Sequence, residues 1–300
     1  MTAPRAVVVG DLLYDMVAPV GGEVSSGVDT FATIHVSPGG SAANVASWLA
    51  RLGVETRFVG RVGDDVFGEF LFDEMEKIGV EAHLARDRSL ATGKVFVLVD
   101  GAGERTMITD RGASEALCPE DLYKDLFSPD SHLHLTGYSF SGGTRRETAK
   151  EALRLAREAG MSVSVDPSSI PLLEETGPGL FLEWTSGADL CFPNLEEGAI
   201  LSGVEDPELI LEELLRHYPR VVLKLGARGA AYSGRSGETL FLPAAEVRVV
   251  DTTGAGDALC AGFLSGWLCG EGAGASLKKG VGSAGRVVGK IGGGSRRDIR

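Results

Sequence analysis

The stretch VVDTTGAGDALCAGF, residues 249–263, joins a β-branched run to an apolar helical pattern through three small residues. Gly254, Ala255 and Gly256 let another molecule approach the backbone closely, and their N–H groups lie at the start of the predicted helix. A helix start carries a partial positive charge, so this turn suits an anion. Asp257 in the same turn is either a partner of the helix dipole or a catalytic group that faces the bound anion.

Around this stretch, strand-like and helix-like segments alternate. The β-branched runs cover residues 5–10, 55–62, 131–137, 161–166, 188–194 and 220–226, and the helical patterns cover residues 41–53 and 144–160. Such alternation predicts βαβ units, and hence an α/β fold with a central, mainly parallel sheet between layers of helices. Ligand sites of these sheets lie beyond the carboxyl ends of the strands, where Asp11, Asp15, Asp166, Asn194 and Asp251 fall.

Two segments, residues 12–37 and 92–109, alternate as strands do and lack helical periodicity. The second contains a hairpin turn with glycine, in KVFVLVDGAGERTMIT. We predict that they form a small β-sheet that acts as a lid over the cleft of a single domain, residues 1–300, with Gly39 and Gly40 as a hinge. The exposed face of this lid is a candidate surface for pairing two subunits.

Composition excludes several classes of function. The 300 residues carry a formal charge of −13 and no basic cluster beyond GSRRDIR at the C-terminus, so we expect no nucleic-acid partner. No run of about 18 apolar residues and no leader pattern is present, which predicts a cytoplasmic protein without a membrane partner. The cysteines show no metal or disulfide spacing and are predicted to be reduced thiols.

Other nucleotide motifs fit poorly. The chain has no G-x-x-x-x-G-K-[ST] segment, which excludes P-loop chemistry. GEGAGA, residues 270–275, follows a helical pattern instead of a strand, and GAGDAL, residues 254–259, lacks the third small residue. A dinucleotide-dependent dehydrogenase is therefore disfavoured.

Four motifs together resemble one known family. DTTGAGDALCAGFL resembles the C-terminal signature of the ribokinase-like (PfkB) carbohydrate and nucleoside kinases, and GGSAANVASWLARLG followed by VGRVGDDVFG resembles their N-terminal signature. FPNLEEG is similar to their N-x-x-E motif, and LKLGARGA to their nucleotide-side strand and turn. The motifs follow the family order over residues 10–294. The resemblance implies a ribokinase-like three-layer fold with a small β-sheet lid, and ATP-dependent phosphorylation of a hydroxymethyl group on a small sugar.

The resemblance also implies roles for single residues. Asp257 is the expected catalytic base, and the transferred phosphate is held at Gly254, Ala255 and Gly256. The positions that align with the nucleotide side hold Lys224, Gly226, Gly229 and Thr253.

Metal ions are expected beside the nucleotide. Asn194 and Glu197, one helical turn apart, are expected to hold Mg²⁺ through water, since magnesium keeps most of its waters; Asn194 is also a candidate helix cap. Asp251, Thr253 and residues 291–295 match the monovalent-cation site of some relatives, which leaves K⁺ as an open alternative.

On the acceptor side, Asp15 matches the aspartate that binds substrate hydroxyls, and Asn44 with the backbone of Gly39 and Gly40 matches the second contact. A carboxylate and an amide together suit vicinal hydroxyls, because one accepts hydrogen bonds and the other both accepts and donates them.

The acceptor itself stays open. A nucleoside kinase is the alternative enzyme, with Phe31 as an aromatic residue able to stack on a base; a catalytically silent sugar- or nucleotide-binding regulator is the alternative outside enzymes. Asp11, Ser114 and Lys224 depart from the usual family residues, and they bear on the acceptor and the nucleotide rather than on the transfer chemistry.

Overall fold

The computed structural model describes residues 4–22, 24, 26–101, 105–244 and 252–289. Their strands are β1 (Arg5–Val9), β2 (Leu13–Pro19), β3 (His35–Gly39), β4 (Glu55–Gly63), β5 (Val80–Asp87), β6 (Thr92–Val99), β7 (Arg105–Gly112), β8 (Ser131–Thr136), β9 (Ser162–Asp166), β10 (Leu190–Cys191), β11 (Arg220–Lys224), β12 (Ala230–Gly234) and β13 (Thr239–Leu242). Their α-helices are α1 (Ser41–Arg51), α2 (Val66–Ile78), α3 (Gly143–Ala159), α4 (Ile170–Thr176), α5 (Pro178–Trp184), α6 (Leu195–Ser202), α7 (Pro207–Leu214), α8 (Ala255–Leu268) and α9 (Ala273–Val288).

A large sheet forms the middle layer. Over the described residues it has nine strands in the order β13-β12-β11-β10-β9-β8-β1-β4-β5. The strand pairs from β11 to β5 are parallel, whereas β11–β12 and β12–β13 are antiparallel, so β12 alone among the described strands runs against the others. The predicted α/β class with a mainly parallel sheet is therefore confirmed.

The alternating side chains of β1 show why both faces are covered. Val7 and Val9 pack into an apolar core with α3 and the helices α4 to α7, whereas Ala6 and Val8 pack into a second core with α1, α2, α8 and α9. Successive side chains of a strand point to opposite faces, so a strand that is apolar at every position must be covered on both.

A separate small sheet has the strand order β3-β2-β6-β7. Strand β2 pairs in parallel with β6, and the other two pairs are antiparallel. The strands lie within or just beyond the two segments expected to form a small sheet, since β3 reaches Gly39 and β7 reaches Gly112. Part of the predicted hairpin turn, residues 102–104, lies outside the described residues.

Several boundaries differ from the sequence prediction. The run 188–194 contributes the strand Leu190–Cys191 and an isolated bridge between Asn194 and Lys224, and Pro193, which has no N–H to donate, lies between them. Strands β5, β12 and β13 were not predicted. The β-branched run at 246–250 that precedes α8 lies outside the described residues.

Among the helices of the described residues, none is both long enough and apolar enough to cross a lipid bilayer.

Candidate active site

Polar residues converge at the carboxyl edge of the large sheet. Asp11 follows β1, Asp166 ends β9, Asn194 follows β10 and Lys224 ends β11. The start of α8, with Asp257 in its first turn, faces the same edge and contacts α1. This edge is where ligands bind in open α/β sheets.

The first turn of α8 has the geometry that the small residues predicted. Gly254 takes a left-handed φ of 72°, which a residue with Cβ rarely adopts, and the helical hydrogen-bond ladder begins at Ala258 N, which donates to Gly254 O. The N–H groups of Gly256 and Asp257 therefore precede the ladder. The N–H of Ala255 donates to Thr252 O at 3.2 Å, so one of the three expected phosphate-binding donors is already used by the turn.

The Asp257 carboxylate is held by two donors from α1. Ser41 Oγ donates to Oδ1 at 2.7 Å, and Asn44 Nδ2 donates to Oδ2 at 2.8 Å. Burial raises the pKa of Asp257 to about 6, although both hydrogen bonds act to lower it. The group is therefore mostly ionised at pH 7, by about ten to one, and is a stronger base than an aspartate in water.

Lys224 lies beside the first turn of α8. Its Nζ is 2.7 Å from Asp166 Oδ2, and a Cβ on Gly256 would lie 3.5 Å from Nζ. Burial acts to lower the pKa of Lys224, but the negative charge of Asp166, with smaller effects of Cys260 and Glu197, raises it above its usual value. The ammonium group is thus permanently charged beside the N–H groups of α8.

Asn194 and Glu197 cap α6 reciprocally. Asn194 Oδ1 accepts from Glu197 N, and Glu197 Oε2 accepts from Asn194 N, both at 2.8 Å. Burial raises the pKa of Glu197 to about 7, and the charge of Lys224 opposes that shift. No group of three or more His, Cys, Asp or Glu with metal-binding geometry occurs in the described residues. A metal at this pair would therefore take most of its ligands from water and phosphate.

The acceptor-side residues pack closely on one another. A Cβ on Gly39 would lie 2.0 Å from Asp15 Cγ, and a Cβ on Gly40, whose φ is 96°, would lie 2.5 Å from Asp11 O. Position 40 therefore requires glycine, and a Cβ at position 39 would displace the Asp15 carboxylate. Asp15 Oδ1 is buried without a hydrogen-bond partner among the described residues. Burial raises the pKa of Asp15 to about 7, and the charge of Asp11 contributes. Asn44, expected beside Asp15, points its amide nitrogen at Asp257 instead.

The small sheet reaches the turn before α8 through Arg105 of β7. Its guanidinium donates to Thr252 Oγ1 at 3.1 Å and to Thr253 Oγ1. The hydroxyl of Thr253, expected on the nucleotide side, is therefore engaged by the small sheet.

The remaining expected residues have backbone roles or lie outside the description. Gly226 and Gly229 take φ values of 59° and 100° in the turn between β11 and β12, and a Cβ on Gly229 would lie 2.0 Å from Leu242 O. Asp251 and residues 291–295 lie outside the described residues.

Sequence reasoning missed three residues of this site. Ser41 carries a signal in hindsight, since it directly follows the glycine pair at the start of α1. Arg105 and Arg111 belong to β7, and their contacts with Thr252 and Asp11 depend on where the small sheet packs against the rest of the chain.

Comparison with known proteins identifies the family of this arrangement. Residues 3–299 match the model of the pfkB family carbohydrate kinases. An ATP-dependent ribose-1-phosphate kinase of Halopiger xanaduensis is 36% identical over 77% of this chain and 74% of its own length. A fructokinase of Klebsiella pneumoniae is 35% identical over 76% of each chain. The crystal structure of adenosine kinase from Sinorhizobium meliloti superposes with a TM-score of 0.89 at 26% identity, over 98% of this chain and 96% of that one. The expected ribokinase-like fold is confirmed.

Proposed function

The chain belongs to the pfkB family of carbohydrate kinases and is a phosphotransferase that acts on a hydroxyl group, and on that premise we propose that it transfers the γ-phosphoryl group of ATP to a hydroxymethyl group of a small sugar. The observation that carries the proposal is the Asp257 carboxylate, which Ser41 and Asn44 orient at the start of α8.

We propose that Asp257 is the catalytic base. It takes the proton of the acceptor hydroxyl as the hydroxyl oxygen bonds to the γ-phosphorus and the bond to the leaving ADP oxygen breaks. Two hydrogen bonds from α1 fix the plane of the carboxylate, so it need not reorient during the step.

We propose that the transferred phosphoryl group is held at Gly254, Ala255 and Gly256, chiefly by the N–H groups of Gly256 and Asp257. Lys224 adds a charge there, because its Nζ lies beside Gly256. The rest of the nucleotide would extend toward Gly226 and Gly229 at the turn after β11.

Asn194 and Glu197 fit Mg²⁺ bound through water, since the cap of α6 engages Asn194 Oδ1 and Glu197 Oε2 but not the second carboxylate oxygen of Glu197, a buried residue that is 3% exposed. When bound, the ion would neutralise charge on the nucleotide phosphates. A monovalent-cation site for K⁺ at Asp251, Thr253 and residues 291–295 stays a proposal from sequence.

We propose that Asp15 and the backbone at Gly39 and Gly40 bind the hydroxyls of the acceptor, and that the small sheet is a lid closing over it. The link from Arg105 to the turn before α8 supports that closure. A nucleoside acceptor is the second candidate, supported by the similarity to an adenosine kinase and by Phe31, which is 91% exposed beyond β2.

We also propose that two copies pair through the lid. Val36, Phe96 and Ile108 lie in one row across its strands and are 43%, 45% and 63% exposed. The cytoplasm, where ATP is plentiful, is the expected compartment, and the four cysteines are free. A molar mass measured in solution tests the pairing.

The transfer itself is tested by ADP release across sugars and nucleosides, together with the variant Asp257→Asn. The variant keeps the size and the hydrogen-bonding capacity of the side chain but cannot accept the proton, so kcat should fall by about 10²–10⁴ while KM changes little. If Asp257→Asn loses thermal stability but keeps kcat, Asp257 interacts with the helix dipole and is not the catalytic base. Absence of ADP release with every acceptor would favour the silent regulator.

A further inference from the structure

Next to the acceptor side lies a group of buried hydrogen-bond donors. Nη1 of Arg111, Nε and Nη1 of Arg145 and Oγ of Ser114 have no hydrogen-bond partner within the described part of the chain. Guanidinium N–H groups only donate, so what satisfies them must carry acceptor atoms. Leaving several such donors unpaired in a protein interior is costly, so their presence together calls for an occupant.

Arg111 lies on the same face of the small sheet as Asp15. In the register of this sheet Asp15 faces Val95, and Val95 faces Thr109, two residues before Arg111. The guanidinium of Arg111 lies over the ring of Tyr138, 4.8 Å from its centre. Burial raises the pKa of Tyr138, and both Asp11 and Asp257 contribute, which places this ring within electrostatic range of the base.

Asp11 does not occupy the guanidinium of Arg111. Its Oδ2 is 4.0 Å from Arg111 Nη1, an ion pair that is too long for a hydrogen bond. Its Oδ1 accepts the N–H of Ala42 at the start of α1 at 3.2 Å. The donor atoms of Arg111 therefore stay available to another acceptor.

Arg145 adds a second cation beside the first. Its side chain is 5% exposed, and only Nη2 is engaged, with Glu115 Oε1 at 2.7 Å and Ser141 O at 3.3 Å. Burial lowers the pKa of Arg145, and the positive charge of Arg111 contributes. Two like charges that affect each other, one on the buried Arg145 and one on the partly exposed Arg111, are stabilised by an anion near both.

On the premise of the transfer proposed above, we propose that the acceptor carries an anionic group, a carboxylate or a phosphate, remote from the hydroxyl that is phosphorylated. Arg111 binds this group through its unpaired N–H donors, and Arg145 and Ser114 add positive potential and donors behind it. A guanidinium group binds a carboxylate and a phosphate equally well. The structure therefore indicates that the acceptor is negatively charged, and the experiment distinguishes a carboxylate from a phosphate.

The test compares acceptors in two arms. Ribose 1-phosphate is compared with ribose in the phosphate arm, and 2-dehydro-3-deoxygluconate with fructose in the carboxylate arm, by ADP release. In at least one arm kcat/KM should be tenfold or more higher for the anion. Arg111→Gln should lower kcat/KM for the anionic acceptor by about 10- to 100-fold, mainly by raising KM. It should change kcat/KM for the neutral sugar by no more than about threefold. Arg111→Lys should recover part of the loss.

Arg88→Gln, on an exposed turn, is the matched control and should behave as the wild type. Anion binding without ATP gives an independent readout: the preferred anion should raise the melting temperature of the wild type but not of Arg111→Gln.

A kcat/KM for the neutral sugar that equals or exceeds that for the anion in both arms would overturn the proposal. The unpaired donors of Arg111 and Arg145 would then be satisfied by water. An equal loss for anionic and neutral acceptors in Arg111→Gln would also overturn it. No ADP release with any of the four acceptors would instead overturn the proposed transfer.

Discussion

At the scale of a single residue, Asp257 shows how opposing effects set the pKa of the proposed catalytic base. Burial disfavours the charged carboxylate, and the donors Ser41 and Asn44 favour it, with a net rise to about 6. A carboxylate in water, with a pKa near 4, would be a weaker base. A carboxylate buried without donors would be protonated at neutral pH. The two hydrogen bonds therefore adjust the strength of the base as well as its orientation.

This balance predicts how activity responds to pH. Because the proposed base, Asp257, must be ionised, kcat/KM should fall as the pH falls through about 6. Ser41→Ala removes one donor that stabilises the ionised form, so it should move this acid limb to higher pH, by about half a unit to one unit. The measurement is kcat/KM between pH 5 and 9. Ser47→Ala, on the same helix but directed at Met75, is the control. If Ser41→Ala does not shift the acid limb of the pH profile, the limb reflects the ionisation of a group other than Asp257.

At the scale of an element, α8 combines a tightly packed body with an open start. Within its body a Cβ on Gly262 would lie 2.6 Å from Lys279 O of α9, so the small residues there serve helix packing. At its start, a Cβ on Gly256 would meet only the Lys224 side chain, at 3.5 Å or more. The sequence shows small residues at both places. Only the atoms around each glycine distinguish a position that serves helix packing from one that is open to a ligand.

The variant Gly256→Ala separates the two roles. The methyl group meets no steric conflict, so stability should stay the same or rise by up to about 1 kcal/mol. It would occupy the space in which the phosphoryl group approaches the N–H groups, so kcat/KM should fall at least tenfold. Gly282→Ala, an exposed position of α9 with no atom within 4 Å, should give a similar gain in stability at full activity. Full activity of Gly256→Ala would show that the phosphate binds elsewhere.

At the scale of the whole molecule, buried ionisable groups give stability opposite dependences on pH. Burial raises the pKa values of Asp15 and Glu197 to about 7, so their contributions are lost as the pH rises through 7. Burial in the β8–β9 region lowers the pKa values of His132 and His134 to about 3 and about 4, so their contributions are lost as the pH falls below 6.5. These opposite pH dependences partly cancel in the free energy of unfolding of the wild type. The contribution of one group is therefore measured better by comparing a single variant with the wild type.

Asp15→Asn should stabilise the protein, and more at high pH than at low pH. The folded-state pKa of Asp15 is raised, so its stabilising contribution is complete below the unfolded value near 4 and lost as the pH rises through about 7. The gain on substitution should therefore be about 2 kcal/mol larger at pH 8 than at pH 5.5. Urea unfolding at both pH values measures it, with the exposed Asp29→Asn as the control. A gain independent of pH would mean that Asp15 is not held near neutrality by burial.

The sequence determined the features that depend on neighbours along the chain. The β-branched runs, the small residues before α8, the glycine pair before α1 and the cap of α6 are local, and they predicted the layered fold and the place of Asp257. Strand β5 escaped prediction because most of it is only partly buried at the sheet edge, so its apolar signal is weak.

Only the tertiary structure decided which side chains meet. Ser41 and Asn44 lie 216 and 213 residues from Asp257 in the sequence, and Lys224 lies 58 residues from Asp166. The unpaired donors of Arg111 and Arg145 are likewise visible only in the folded chain. The physical reason is that burial and electrostatic interaction depend on distance in space. The order of residues states which groups are present, but the packing of helices and strands sets how far apart they lie and how much water surrounds them.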